Sequence, residues 1–240
     1  MPKRLLLISN STSHGSGYLD HCEAEMRDFL GPTGRVLFIP FALYDREAYA
    51  AKARERLKRM GYECDSLHDA PDMASAIEGA EAFFAGGGNT FRLLKALQEG
   101  GLIAPLRRRV ESGAPYIGAS AGSNIAGPTI KTTNDMPIVQ PPSFDALALV
   151  PFNINPHYLD PDPVSTHQCE TREARIREFH EENNPPVVGL REGALLRIEG
   201  ASLLLKGETG ARIFLRGRDP EEFAPGTSLD FLVDPSASAR

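Results

Sequence analysis

A serine set between glycines is the first feature of this 240-residue chain that could do chemistry. Gly118-Ala-Ser120-Ala-Gly122 fits the G-x-S-x-G pattern, in which a strand turns sharply into a helix and leaves the serine hydroxyl exposed at the strand's C-terminal end. Such a turn needs positions without Cβ, and at the start of the following helix the backbone N–H of Ala121 points at an oxyanion formed on a substrate. A small-residue turn built only for close packing has the same composition, so the pattern needs support from elsewhere in the chain. Gly86-Gly-Gly-Asn-Thr90 offers some. It lacks the third glycine of a dinucleotide fingerprint, because Phe91 stands there, and no Lys-Ser/Thr pair follows to make a phosphate-binding loop. Its better use is to supply the second oxyanion donor, the N–H of Gly88, from another strand's loop. A glycine-rich turn without a ligand is the competing reading.

A serine nucleophile needs a base within hydrogen-bond reach and a third group to orient that base. His14 falls in a loop, His21 and His68 read as surface or core-edge residues, and His167 and His180 sit in or beside charged segments. His157 ends the alternating run Phe152–Asn155 and follows Pro156, which makes it the best-placed base. For the third member Glu192, at the end of Val187–Leu190, competes with Asp135 and Asp160, and residue type alone does not choose among them.

The elements that must carry these groups alternate. Apolar runs at Arg4–Ser9, Val36–Ile39, Tyr62–Leu67 and Ala82–Ala85 read as strands, interleaved with helical stripes at Leu19–Leu30, Asp45–Met60, Pro71–Glu78 and from Phe91 through Leu97. That alternation predicts a mostly parallel, doubly wound α/β sheet covered on both faces. After the serine turn, Lys131–Pro142 reads as an ordered loop and Thr171–Glu182 as a charged amphipathic helix. Leu195–Ile198, Ser202–Leu205 and Arg212–Leu215 have hairpin spacing and predict an antiparallel C-terminal extension of the sheet. Residues 1–240 read as a single domain, whose segment from Asp219 to Arg240 carries no strong pattern.

Composition narrows the partners. A net charge of −6 argues against general affinity for nucleic acid or anionic membranes, so an anionic substrate requires a locally basic pocket. Cys22, Cys64 and Cys169 are odd in number and widely spaced, which excludes a disulfide framework or a zinc knuckle and suits a reducing compartment. The apolar run Leu5–Ile8 is too short for a signal peptide or a membrane span, so a cytoplasmic location is expected. H-E-x-x-H is missing, the acids and histidines lack ligand spacing, and neither metal nor cofactor is expected. Monomer and homodimer both remain open.

Gly86-Gly-Gly-Asn-Thr-Phe91, Gly118-Ala-Ser-Ala-Gly122, Thr132-Thr-Asn-Asp-Met-Pro137, Ile154-Asn-Pro-His157, Glu170-Thr-Arg172 and Gly189-Leu-Arg-Glu-Gly193 together resemble the S51 serine peptidases, the family of the peptidase E-type α-aspartyl dipeptidases. The likeness runs from about Leu5 to Leu215. It implies a flavodoxin-like sheet related to class I glutamine amidotransferases and a substrate that is a small Asp-X peptide. The same resemblance makes Ser120 the nucleophile, His157 the base and Glu192 its orienter. Asp135 then lies near the site rather than in the triad, and Arg172, Asn89 and Asp135 are the implied substrate contacts. Arg172 suits a carboxylate because a planar guanidinium can pair both oxygens; Lys131 is a second cation that could serve. Two departures stand out: Ala119, where some relatives carry Trp, and an individual loop at Pro161-Asp-Pro163 and Cys169. Competing readings are a cyanophycinase-like β-aspartyl-arginine peptidase, an α/β-hydrolase-type esterase running Ser120, Asp135 or Asp145, His157, and a non-enzymatic anion-binding domain.

Overall fold

The computed structural model describes residues 2–161 and 170–234. His167, Cys169, most of the individual loop that begins at Pro161, and the tail from Pro235 lie outside the described residues. In chain order the strands are β1 (Arg4–Ile8), β2 (Arg35–Ile39), β3 (Glu63–Ser66), β4 (Ala82–Ala85), β5 (Tyr116–Ala119), β6 (Asn153–Pro156), β7 (Val187–Leu190), β8 (Ala194–Glu199), β9 (Ser202–Gly207), β10 (Ala211–Phe214) and β11 (Glu221–Phe223). Seven of them form the main sheet in the order β3-β2-β4-β5-β1-β8-β9, parallel as far as β1 and antiparallel through β8 and β9. The run β3-β2-β4-β5 has the doubly wound order, and β1 takes the place beyond β5 that a later strand usually fills.

Period-two alternation decides which helices cover which face. Leu6, Ile8, Val36, Phe38, Phe84 and Ile117 point to one side, where α1 (Glu23–Leu30) and α2 (Arg46–Arg59) pack through Met26, Phe29, Ala53 and Leu57. Leu5, Leu7, Leu37, Ile39, Phe83 and Tyr116 point to the other, against α3 (Met73–Gly79), α4 (Thr90–Glu99) and α5 (Ile103–Glu111). Helix α5 has no counterpart among the expected elements. Its apolar positions, Leu106 and Val110, are interrupted by the run Arg107-Arg-Arg109, which hides the stripe. Arg107 and Arg109 are used at a distance, donating to the carbonyls of Leu147 and Ala80.

The C-terminal strands depart from the expected continuous extension. β8 and β9 do extend the main sheet, but β10 leaves it to pair with β7 in a second sheet, order β11-β10-β7-β6, in which β6 and β7 are parallel. The reason is local burial: Ile154, Val188, Leu190 and Ile213 join the main core, while Val187 and Phe214 face a separate cluster with Tyr158 and Ile176 of α7 (Arg172–Glu182). This second sheet brings the ends of β6 and β7 beside the end of β5. Among the described residues no helix is long and apolar enough to cross a membrane.

Candidate active site

The turn after β5 is built by close approach of backbones. A Cβ on Gly118 would press on the backbone of Gly122, and one on Gly122 would collide with the carbonyl of Ala85 on β4. Tyr116 Oη donates to the Gly122 carbonyl at 2.7 Å, and Ser123 Oγ to that of Gly118 at 2.7 Å, closing the turn from both sides. Ser120 is thereby held at φ 52, ψ −107, a conformation costly for a residue with a Cβ and maintained only where the surroundings over-determine it. The short helix α6 (Ala121–Asn124) starts at once; the N–H groups of Ser123 and Asn124 both donate to the Ser120 carbonyl at 2.9 Å, while that of Ala121 precedes the first intrahelical bond. From β4, Gly87 comes so close that a Cβ there would lie 3.1 Å from Ser120 Cβ. Gly88 follows at φ +131, where a side chain would meet the Ala42 carbonyl. Among the described residues neither Gly88 N–H nor Ala121 N–H has a hydrogen-bond acceptor.

His157 and Glu192 arrive from the parallel pair β6 and β7, in which Pro156 is opposite Leu190. His157 Nε2 lies 2.9 Å from Ser120 Oγ, and His157 Nδ1 lies 2.6 Å from Glu192 Oε1. A carboxylate can only accept from a ring nitrogen, so it fixes the proton on Nδ1 and leaves Nε2 to accept from the serine. The arrangement can take a proton from Ser120 and hold the resulting imidazolium against a negative charge. With side-chain exposures of 40% and 51%, the imidazole and the carboxylate are open to a solvent-borne substrate.

The other candidates fall into place around this chain. Asp160 is taken by Arg191, which donates to both its oxygens at 2.7 Å, and that pairing holds the Asp160 carboxyl below the usual carboxylate range. Asp135 accepts from Thr90 N at 2.7 Å and from Thr133 Oγ1 at 3.2 Å. Asn89 accepts from Arg92 N and donates to the Met136 carbonyl. Both side chains therefore fasten the Lys131–Pro142 loop to the start of α4, next to the glycine turn, and neither reaches His157. Arg172 is half-buried in the first turn of α7, and its guanidinium has no carboxylate partner among the described residues. Burial, then the neighbouring Arg175, depresses its pKa. Lys131, the second cation, donates to Asn183 Oδ1 at 3.0 Å. His14 is exposed, His21 is held below the usual imidazole range by burial, and His180 bonds the Pro185 carbonyl.

Sequence spacing misses one cluster. Ser66 Oγ lies 2.7 Å from His68 Nδ1, and His68 Nε2 lies 3.3 Å from Glu47 and 3.2 Å from Asp69. Glu47, His68 and Asp69 place one donor atom each within 4.8 Å of one another, a grouping of ligand types that the linear spacing does not reveal because Glu47 is 21 residues from His68. Arg54 already bonds both carboxylates, with Glu47 at 3.2 Å and Asp69 as its second partner.

The profile of peptidase family S51 matches residues 5–206. Peptidase E of Streptomyces coelicolor is 54% identical over 230 residues, covering 96% of this chain and 95% of that protein. A probable alpha-aspartyl dipeptidase of Drosophila melanogaster is 47% identical over 234 residues, covering 96% and 98%. Among solved structures, a putative peptidase E from Listeria monocytogenes superposes with a TM-score of 0.67 at 23% identity, covering 87% of this chain and all of the other. A peptidase from an actinobacterium gives 0.69 at 18% identity, covering 95% and 97%. At those identities the two structures establish the fold.

Proposed function

Because the chain belongs to peptidase family S51, we propose that it is a serine dipeptidase that hydrolyses α-aspartyl dipeptides (Asp-X) with a free N-terminus through an acyl-enzyme on Ser120. The hydrogen-bonded chain Ser120–His157–Glu192 carries this reading. Ser120 Oγ attacks the carbonyl of the aspartyl residue while His157 Nε2 takes its proton; Glu192 faces the imidazolium that forms. The proton passes to the amine of the leaving residue, and water, activated by the same imidazole, releases aspartate. The N–H groups of Gly88 and Ala121 receive the oxyanion, each worth about 3 kcal/mol of barrier if removal of one donor costs what it does elsewhere.

An aspartyl side chain brought into this acidic protein needs a cation, and Arg172, half-buried and without a carboxylate partner among the described residues, is the group we assign. The name of the Drosophila relative, a probable alpha-aspartyl dipeptidase, favours α-linked aspartyl dipeptides over a β-linked polymer. An esterase triad through Asp135 or Asp145 gains no support, since the Asp135 carboxylate is bonded at the start of α4 and His157 faces Glu192. The test is release of free amino acid from Asp-X, Glu-X, Asn-X, acetyl-Asp-X and β-Asp-Arg. Asp-X alone should be cleaved rapidly; equal rates on acetyl-Asp-X or β-Asp-Arg would overturn the dipeptidase assignment.

A further inference from the structure

At the C-terminal end of β1 three consecutive residues each accept a backbone N–H from a different one of the three segments that carry Ser120, His157 and Glu192. The Ile8 carbonyl takes the N–H of Ser120 at 2.9 Å. Ser9 Oγ takes that of His157 at 2.9 Å, and Asn10 Oδ1 takes that of Gly193, the residue after Glu192, at 2.8 Å. All three are fully buried. Ser9 and Asn10 directly follow the apolar run Leu5–Ile8, and buried polar side chains persist only where they are bonded. Theirs are. Ser9 Oγ donates to the Leu190 carbonyl at 2.8 Å, which also accepts from Tyr158 N at 3.1 Å, while Asn10 Nδ2 donates to the Thr12 carbonyl and to Ser13 Oγ.

Resting on the serine-peptidase reading above, we infer that Ser9 and Asn10 are positioning residues that hold His157 and Glu192 in register with Ser120. The backbone supports this. Ser120 and His157 both have positive φ, 52° and 53°, a conformation that a residue with a side chain keeps only under outside restraint. For His157 the restraint comes from both sides: Ser9 Oγ holds its N–H, and Asn134 Nδ2 holds the preceding Pro156 carbonyl at 2.7 Å. Neither Ser9 nor Asn10 touches a reacting atom, so each acts by geometry, and a misplacement of about 1 Å at a reacting group can cost roughly a hundredfold in rate.

Ser9→Ala removes the hydroxyl between His157 and Leu190. The expected result is a fall in kcat on Asp-Leu of about tenfold to a hundredfold with KM unchanged within about threefold. Fluorophosphonate labelling of Ser120 should slow by the same factor, because labelling needs the activated serine but no aspartyl pocket. Rates are taken per folded molecule, and Ser9→Cys, which fills the space with a poorer acceptor, should fall between wild type and Ser9→Ala. Tyr62→Phe removes a hydroxyl bonded to the Arg27 and Gly31 carbonyls, remote from the site, and should lower Tm with neither rate changed. Asn10→Ala should slow turnover through Glu192, and so add less than about twofold in a Glu192→Ala background. Wild-type kcat and labelling in the folded Ser9 variants, or a full multiplicative effect of Asn10→Ala on Glu192→Ala, would overturn the inference. Turnover that survives Ser120→Ala would instead overturn the serine-peptidase reading beneath it.

Discussion

Two regions of the molecule assemble a serine hydroxyl, an imidazole and a carboxylate into a hydrogen-bonded chain, and their settings differ in nearly every other respect. Ser66 lies at the end of β3 in ordinary extended geometry, φ −119 and ψ 132, and is 4% exposed. Its histidine is two residues away, and Arg54 already neutralises the carboxylates beyond it. Ser120 sits on a strained turn; its imidazole is 37 residues on, and the carboxylate a further 35. No arginine pairs with Glu192 among the described residues, and unpaired N–H groups flank the hydroxyl. Residue types are thus matched, while a strained turn, a carboxylate without an arginine and unpaired N–H groups beside the hydroxyl mark, among the described residues, the Ser120 cluster. Nucleophilic chemistry requires those additions, because a serine paired with histidine gains little without donors for the oxyanion and a carboxylate free to face the imidazolium.

The largest expected effect breaks the comparison outright. Ser120→Ala should lower kcat on Asp-Leu by at least about 10⁴-fold and abolish fluorophosphonate labelling, whereas Ser66→Ala should leave both within about twofold. Mass spectrometry of the labelled peptide decides which serine reacts; a label on Ser66 would reverse the assignment. Glu192→Gln should follow with a loss on the order of 10³ to 10⁴-fold, since the imidazolium loses its charge partner and the tautomer its anchor. Glu47→Gln and Asp135→Asn, in folded protein, should cost far less. If Asp135→Asn proves the more damaging, the third member must be redrawn.

A smaller effect separates binding from chemistry. Removing one partner of a buried charge pair typically costs about 2–5 kcal/mol, so Arg172→Met should lower kcat/KM on Asp-Leu by roughly thirtyfold to several thousandfold. Labelling of Ser120 should persist, because a small fluorophosphonate does not use the aspartyl pocket. Retention of full discrimination between Asp-Leu and Asn-Leu by Arg172→Met would place aspartate recognition elsewhere.

What could be read from the chain follows the same division. The parallel sheet was legible because its strands are short apolar runs between helical stripes, and the turn at Ser120 because close backbone approach demands glycine at 118 and 122. His157 and Glu192 were legible as types at strand ends, but residue type left Glu192 level with Asp135 and Asp160, and only the family resemblance paired it with His157: the pairing depends on β6 and β7 lying side by side in a second sheet, which no local pattern encodes. Helix α5 was hidden by three successive arginines whose partners are distant carbonyls. The cluster at Ser66 was equally invisible, since Glu47 reaches it from α2. Ser9 and Asn10 looked like the place where an apolar run stops; only tertiary contacts show that they accept N–H groups from two other strand ends.

The smallest effect tests the region around β3. Cys64 lies on β3 two residues before Ser66, and burial pushes its thiol up to about 12; Cys22, at the start of α1, is pushed up to about 12 for the same reason. The thiolate is the species that alkylates, and its fraction falls tenfold for each unit by which the pKa exceeds the pH. At pH 7.5 a thiol with a pKa of about 12 is ionised to only about one part in thirty thousand, against roughly one part in ten for an ordinary cysteine. In a Cys169→Ser background, iodoacetamide should therefore leave the native protein unmodified and active over hours. The slow reaction that remains should quicken about tenfold per pH unit, because raising the pH supplies thiolate without a new route of access. Rapid alkylation of Cys64 at pH 7.5 with the fold intact would mean that its thiol is not held back by burial. In that case the low exposure of Ser66 on the same strand would carry less of the distinction between the two serines, which would rest on Arg54 and on the unpaired N–H groups beside Ser120.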